Sequence, residues 1–338
     1  MPALEDKIVQ KAVVLVLEAI YEQDFLSCSY GYRPGRSPQG ALDEVFRAIV
    51  VGKVNYVLDV DIQGYFNNIV HEHLMTFIQQ RVRDGRLLRL IGKWLHVGVL
   101  EDGRLLPVTK GTSQGAVASP VLANVYLHYV LDDWMENVVK PRLRGEMYLI
   151  RYADDFIVCF QYREDAERVA SVLRKRLAKY GLELNEGKTR LITFGRFAAQ
   201  DLQRQGRGKP PTFDFLGFTH ICARGRNGRF TVRLRTARKR LRRTMLRIAE
   251  WCRTHRHLPV EDQHRMLARA LQGHYAYYGR RSNLPSLSRL WRLTESVWYK
   301  WLRRRNQQRR FTRAEYTNLL RRYPLPTPRV WQQAFCRS

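Results

Sequence analysis

Cysteine is scarce: the 338 residues hold five, Cys28, Cys159, Cys222, Cys252 and Cys336, far apart and without a CxxC pair. An odd, scattered set excludes a disulfide framework and a zinc ribbon, and it suits a reducing cytoplasm. No run of about 20 uncharged apolar residues occurs, so no membrane span is expected. The best stretch, Ile8–Ile20, is broken by Lys11 and Glu18. No secretory leader is expected, because Glu5 and Asp6 stand where such a leader would be basic. Lysine is rare, 12 residues against 47 arginines, and acidic residues thin out sharply after position 190. Residues 1–190 carry 25 basic and 24 acidic side chains, a net of +1, whereas residues 191–338 carry 34 and 7, a net of +27. A codon bias would explain the Arg/Lys ratio but not the loss of acids. The asymmetry is the footprint of a phosphate backbone as partner, with forked arginine contacts and steep salt dependence.

Turning to what is present, the length suits two domains, and 45% hydrophobic with 11% aromatic residues fits a globular chain. Apolar spacing predicts helices over Ile8–Tyr21, Pro38–Val51, His71–Val82, Leu87–Val97, Pro120–Val138 and Glu164–Tyr180. Val54–Val60 reads as a strand that delivers Asp59 and Asp61 at its end. Met147–Tyr152 and Phe156–Phe160 read as a hairpin around Ala153-Asp154-Asp155, and Phe213–Ala223 with Arg229–Thr236 as another. Residues 198–212 read as a surface loop. Beyond about 236 the chain is helical and basic, with a capping box at Thr312–Glu315.

Two adjacent carboxylates at an apolar hairpin tip repel one another, and a simple turn needs only one. A third carboxylate from the neighbouring strand, Asp61, would complete a set of hard oxygen ligands suited to Mg²⁺. Two such ions about 4 Å apart can activate a hydroxyl and stabilise a leaving oxygen in phosphoryl transfer. Gly187-Lys188-Thr189 imitates a P-loop, but five residues rather than four separate its glycines. A helix also precedes it and a strand follows, the reverse of a P-loop, so an NTPase is rejected.

Six blocks then carry a resemblance: SYGYRPGRS at 29–37, VDIQGYFNNI at 60–69, GTSQGAVASPVLANVYLH at 111–128, RYADDF at 151–156, GLELNEGKT at 181–189 and FDFLGF at 213–218. In order and spacing they resemble the group II intron-encoded reverse transcriptase/maturase family. The resemblance implies an α+β right-hand polymerase, with fingers and palm over residues 1–235 and a basic helical thumb (X domain) over 236–338. It implies RNA-directed DNA synthesis with two Mg²⁺ ions held by Asp61, Asp154 and Asp155. Phe66 matches the aromatic that selects deoxynucleotides, and Gln114 and Gly115 match the loop packing against the incoming nucleotide and templating base. Arg33 and Arg36 resemble finger residues that meet the triphosphate, and Lys188 a lysine near it. Asp59 is read as structural or as a support for the neighbouring carboxylates rather than as a ligand. The implied partners are an RNA template, a DNA or RNA primer, dNTPs and structured intron RNA, in the cytoplasm or at the nucleoid.

The sequence also departs from that pattern. It starts inside the family's opening motif, so a shortened N-terminus is expected, and no HNH-type endonuclease is expected beyond position 338. Ser113, Ala116 and Ala118 replace the usual Pro, Gly and a larger apolar residue, and Asn67 and Val70 replace frequent aspartates. The alternatives are a non-catalytic or degenerate RNA-binding maturase fragment and a domesticated reverse transcriptase in defence or repair.

Overall fold

In the computed structural model, the strand expected over 54–60 forms as β1 (Tyr56–Asp61), so Asp61 is its last residue. The structure describes residues 3–96, 99–101, 104–106, 109–112, 116–206, 208–305 and 311–330. Gln114, Gly115 and Cys336 lie outside the described residues. Contacts divide the chain into two units, Met1–Leu216 with Arg224–Val232, and Gly217–Ala223 with Arg233–Ser338.

The first unit opens with α1 (Leu4–Tyr21) and α2 (Pro38–Val50). Ser37 caps α2 by accepting from the Gly40 amide, and Pro38 fills the first turn, where a missing amide is harmless. After β1 come the short α3 (Tyr65–Asn68), α4 (His71–Gln79) and α5 (Gly85–Leu95), the last capped by Asp84. Next are β2 (Val99–Glu101), β3 (Arg104–Leu106) and α6 (Ser119–Leu127). The helix expected to run to Val138 does not stay α-helical. From His128 to Asp132 and from Trp134 to Val139 it widens into π-helical turns.

β4 (Met147–Tyr152) and β5 (Asp155–Phe160) form the expected hairpin, followed by α7 (Arg163–Lys179) and β6 (Arg190–Thr193). Four strands make one sheet in the order β4-β5-β1-β6, each neighbouring pair antiparallel. Alternation along β1 and β5 sends Leu58, Val60, Phe156, Val158 and Phe160 into the core shared with α6 and α7. The opposite parity carries Asp59, Asp61 and Asp155. The surface loop expected over 198–212 is in part helical: Ala198 and Leu202, four residues apart, bury one face of α8 (Ala198–Arg204). The strand expected over 213–223 breaks into β7 (Phe213–Phe215) and β8 (Phe218–Arg224), because Leu216 and Gly217 adopt φ of 49° and 77°.

From Arg233 on, in the second unit, the end of β9 (Phe230–Thr236) leads into α9 (Arg238–Thr254), α10 (Val260–Tyr278), α11 (Leu284–Arg303) and α12 (Arg313–Arg322). Leu241, Ile248, Leu267, Leu271, Leu287, Leu290 and Trp298 form their common core. The Thr312–Glu315 capping box is present. Among the described residues no helix is long and apolar enough to cross a membrane.

Candidate active site

Strand register brings the acidic residues together. β1 and β5 pair so that Asp61 stands directly across from Asp155, with Asp59 across from Ile157 two steps in. Opposed residues of an antiparallel pair project to one face, so Asp59, Asp61 and Asp155 share it. Asp154 lies on the two-residue turn that joins β4 to β5. The first turn residue, Ala153, is left-handed with φ 57°, a conformation that costs a residue with a Cβ about 1–2 kcal/mol. Strain of this kind needs its surroundings to hold it.

Burial, then the charges of Asp59 and Asp154, push the Asp155 carboxyl up to about 7, although its surface reaches solvent. The Leu216 amide opposes this by donating to the Asp155 carboxylate. Asp154 is raised by burial and by Asp61, and Asp59 by burial, against the pull of Arg190 at 3.1 Å. Burial and mutual repulsion both disfavour the ionised cluster, and a divalent cation would offset both. Among the described residues no three carboxylate, imidazole or thiol groups form a ready-made metal cage. Asp61, Asp154 and Asp155 are the carboxylates that could hold such a cation, with water and substrate phosphates completing its shell.

Lys188 belongs to this site. The Asn185 amide donates to the Asp61 carbonyl at 2.8 Å and the Gln63 amide to the Glu183 carbonyl at 2.8 Å, tying the segment after α7 to the end of β1. Lys188 Nζ then sits 3.1 Å from Asp61 Oδ2. Both side chains are exposed, 66% and 40%, so the pair contributes about 0–1 kcal/mol and opens readily.

Phe66 is half-buried on α3, edge-on to Tyr65 with ring centres 5.3 Å apart. Its carbonyl accepts from the Thr112 amide at 2.8 Å, and the Gly111 amide donates to Ile69 at 2.7 Å. The Gly111–Thr112 backbone therefore lies beside Phe66. Arg36 is exposed, its guanidinium 5.3 Å from the Tyr30 ring centre.

Arg33 requires a correction: the structure does not offer it to a triphosphate. All five of its N–H groups are engaged. Nε and one Nη2 donor go to the Glu22 carboxylate, the second Nη2 donor to the Phe25 carbonyl, and the two Nη1 donors to the carbonyls of Leu26 and Ser29. With 7% exposure, Arg33 is the staple of the turn between α1 and α2.

No role for the residues around the Ala153 turn follows from the sequence pattern. Arg151 is fully buried, bonded to Asp132, Asn124, Ser29 and the Ala153 carbonyl. Gly31 packs its Cα against the Ala153 amide nitrogen, where an added Cβ would lie 2.3 Å away. The available signal was an arginine inside the apolar strand Met147–Tyr152, at a position whose parity points into the core.

The family model described as "Reverse transcriptase (RNA-dependent DNA polymerase)" matches residues 1–220. The group II intron-encoded protein LtrA of Lactococcus lactis subsp. cremoris is 36% identical over 200 residues, covering 57% of this chain and 32% of that protein. Protein YkfC of Escherichia coli (strain K12) is 31% identical over 224 residues, covering 56% of this chain and 58% of that protein. The mitochondrial nuclear intron maturase 4 of Arabidopsis thaliana is 29% identical over 129 residues, 38% of this chain and 16% of that one. The chain thus spans between 16% and 58% of the length of these relatives. Among solved structures, apo telomerase from Candida Tropicalis superposes with a TM-score of 0.52 at 15% identity, over 92% of this chain and 52% of that one. The likeness is one of fold, a mixed helix-and-sheet polymerase palm with fingers. With its family model spanning most of its length, the chain belongs to the reverse transcriptase family, and within it resembles the proteins encoded by group II introns.

Proposed function

We propose that this protein is an RNA-directed DNA polymerase that extends a primer on an RNA template by two-metal nucleotidyl transfer. The observation that carries the reading is the register of β1 and β5, with Asp61 across from Asp155 and Asp154 on the adjoining turn. Asp61, Asp154 and Asp155 would hold two Mg²⁺ ions, which lower the charge barrier between a primer hydroxyl and the α-phosphate. The chain's own residues do the remaining work. Leu216 orients the Asp155 carboxylate through its amide. Lys188, released from Asp61, supplies a cation for the triphosphate, with Arg36 as a second from the fingers. Phe66 forms an aromatic wall under the sugar and disfavours a 2′-hydroxyl. Gln114 and Gly115, outside the described residues, keep the role the resemblance implies, against the incoming nucleotide and templating base.

The second unit acts as the thumb. Its helices bury one face and leave basic residues on the others, and the net +27 of residues 191–338 supports a grip on template–primer duplex and on structured intron RNA. Trp301, half-exposed with Arg256, Lys300 and Arg304 within 6 Å of its ring, is a candidate to stack on a base. The names of the relatives support a role in intron splicing beside synthesis.

The test is primer extension on an RNA template with dNTPs and Mg²⁺. Asp154→Asn and Asp61→Asn should abolish extension and leave RNA affinity within twofold of wild type, because the removed carboxylates do chemistry while binding charge lies elsewhere. Equal extension by wild type and Asp154→Asn would overturn the assignment.

A further inference from the structure

We infer that Arg151 is a positioning residue, whose buried guanidinium fixes the Ala153 turn and thereby the spacing of Asp154 and Asp155 from Asp61. The inference rests on the polymerase reading above and extends it to residues that touch neither metal nor nucleotide.

Arg151 lies on β4, opposite Phe156 of β5, so its side chain enters the apolar core rather than the acidic face. An arginine at 0% exposure survives there only when every donor is met. All five are. Nε donates to Asp132 Oδ1 at 2.7 Å, Nη1 to Asn124 Oδ1 at 3.0 Å and to the Ala153 carbonyl at 2.9 Å, and Nη2 to Ser29 Oγ at 2.8 Å and to Asp132 Oδ2. Asp132 itself is 0% exposed and Asn124 1%.

The partners come from three separate segments. Asn124 is on α6 and Asp132 eight residues later, a spacing that a regular α-helix would rotate well apart. The wider π turns of His128–Asp132 bring Asp132 back toward the Asn124 face. Ser29 belongs to the segment that pairs along β4: the Arg151 amide donates to Cys28 at 2.9 Å, and Tyr30 donates to the Arg151 carbonyl at 2.8 Å. Asn124 Nδ2 also donates to the Gly31 carbonyl at 2.6 Å, and Gly31 abuts the Ala153 amide. One guanidinium thus joins helix, edge segment and turn, and its single bond to the turn goes to the residue with φ 57°.

A purely structural ion pair would make the same contacts with Asp132 and need none with Ala153. The distinction is testable because replacing both members of a buried pair by apolar residues is often neutral for stability, whereas removing one is not. The experiment compares the full chain with Arg151→Met/Asp132→Leu and with Arg151→Lys, which keeps a cation for Asp132 but not the fork that reaches Ala153. Three quantities are read: thermal midpoint, steady-state kcat and KM for dNTP, and hydrogen exchange of the peptide covering 149–157. Outer-shell partners of metal ligands are typically worth 10–100-fold in activity. The expected result is a folded double variant with kcat lowered 10–100-fold, KM within twofold, and faster exchange confined to 149–157. Arg151→Lys should share the kcat defect. Wild-type kcat in either folded variant, or lowered kcat with unchanged exchange, overturns the inference. If wild type itself fails to extend a primer, the polymerase reading has failed instead. The exchange arm then decides alone whether Arg151 holds the turn.

Discussion

Replacing Gly31 by alanine probes the site with a single methyl group. The new Cβ would lie 2.3 Å from the Ala153 amide nitrogen, 3.0 Å from the Tyr152 carbonyl carbon and 3.1 Å from Ala153 Cα. All three are backbone atoms, so no side chain can rotate aside. To regain 3.0 Å, one backbone must retreat by about 0.7 Å, and to reach 3.4 Å by about 1.1 Å. Overpacking of that size costs about 1–3 kcal/mol of stability. Its functional effect is larger, because Asp154 follows Ala153 directly and a displacement of about 1 Å in a reacting geometry costs roughly 100-fold in rate. The assay is single-turnover primer extension well below the thermal midpoint, with circular dichroism to establish folding. Gly92→Ala on α5, where a Cβ meets nothing within 4 Å, is the control and should leave the rate unchanged. A folded Gly31→Ala protein that extends within twofold of wild type would refute the claim that Gly31 spaces the turn.

Phe66→Ala should raise incorporation of ribonucleotides relative to deoxynucleotides by at least tenfold; unchanged discrimination assigns Phe66 to the core alone. Because Asp155 is raised from 3.8 to about 7, the folded state keeps a proton that the unfolded state releases. Stability from this group is present below about pH 4 and is lost as pH rises through 7. Melting in chelator should therefore fall between pH 5 and 8, with a shallower slope in Asp155→Asn and recovery on adding Mg²⁺; equal slopes for wild type and variant would count against the crowded cluster. Neutralising Lys239, Arg242 and Arg243, exposed on α9, should flatten the salt dependence of RNA binding by up to about one unit per lost phosphate contact. The same number of neutralisations among exposed residues of the first 190, away from Arg36 and Lys188, should change that slope far less.

Much of the site was legible because its signals are local. β-branched runs and a hairpin with two aspartates specify strands, and strand parity assigns Asp59 and Asp61 to one face; that Asp155 joins them follows only from the β1–β5 register, which pairs residues 94 positions apart. Arg33 and Arg151 were misjudged or missed for a common reason. An arginine in a polar loop and an arginine in an apolar strand look like a ligand contact and an anomaly until partners are known. Those partners, Glu22 for one and Asp132 with Asn124 for the other, are 11 to 27 residues away in sequence. The π-helical turns after Leu127 were equally invisible, since the apolar spacing over 120–138 continues a helix of any width. At Leu216 the break between β7 and β8 was hidden by unbroken strand-like alternation.

Electrostatic placement accounts for why the charge of the chain is divided. In the first 190 residues the key cations are committed: Arg190 to Asp59, Lys188 to Asp61, Arg151 to Asp132 and Arg33 to Glu22. Asp154 and Asp155 have no ion-pair partner among the described residues; burial first, and the neighbouring aspartates after it, raise both carboxyl groups. Excess arginine in this part of the chain would settle on the two carboxylates and compete with any divalent cation. A neutral first part with the basic excess after position 190 keeps the carboxylates available, while the chain still carries +28 toward a polyanion. Of the committed cations, only Lys188 sits in an exposed, weak pair with a candidate ligand, Asp61. On the polymerase reading proposed above, it is the one that would leave for an incoming phosphate, at little free-energy cost.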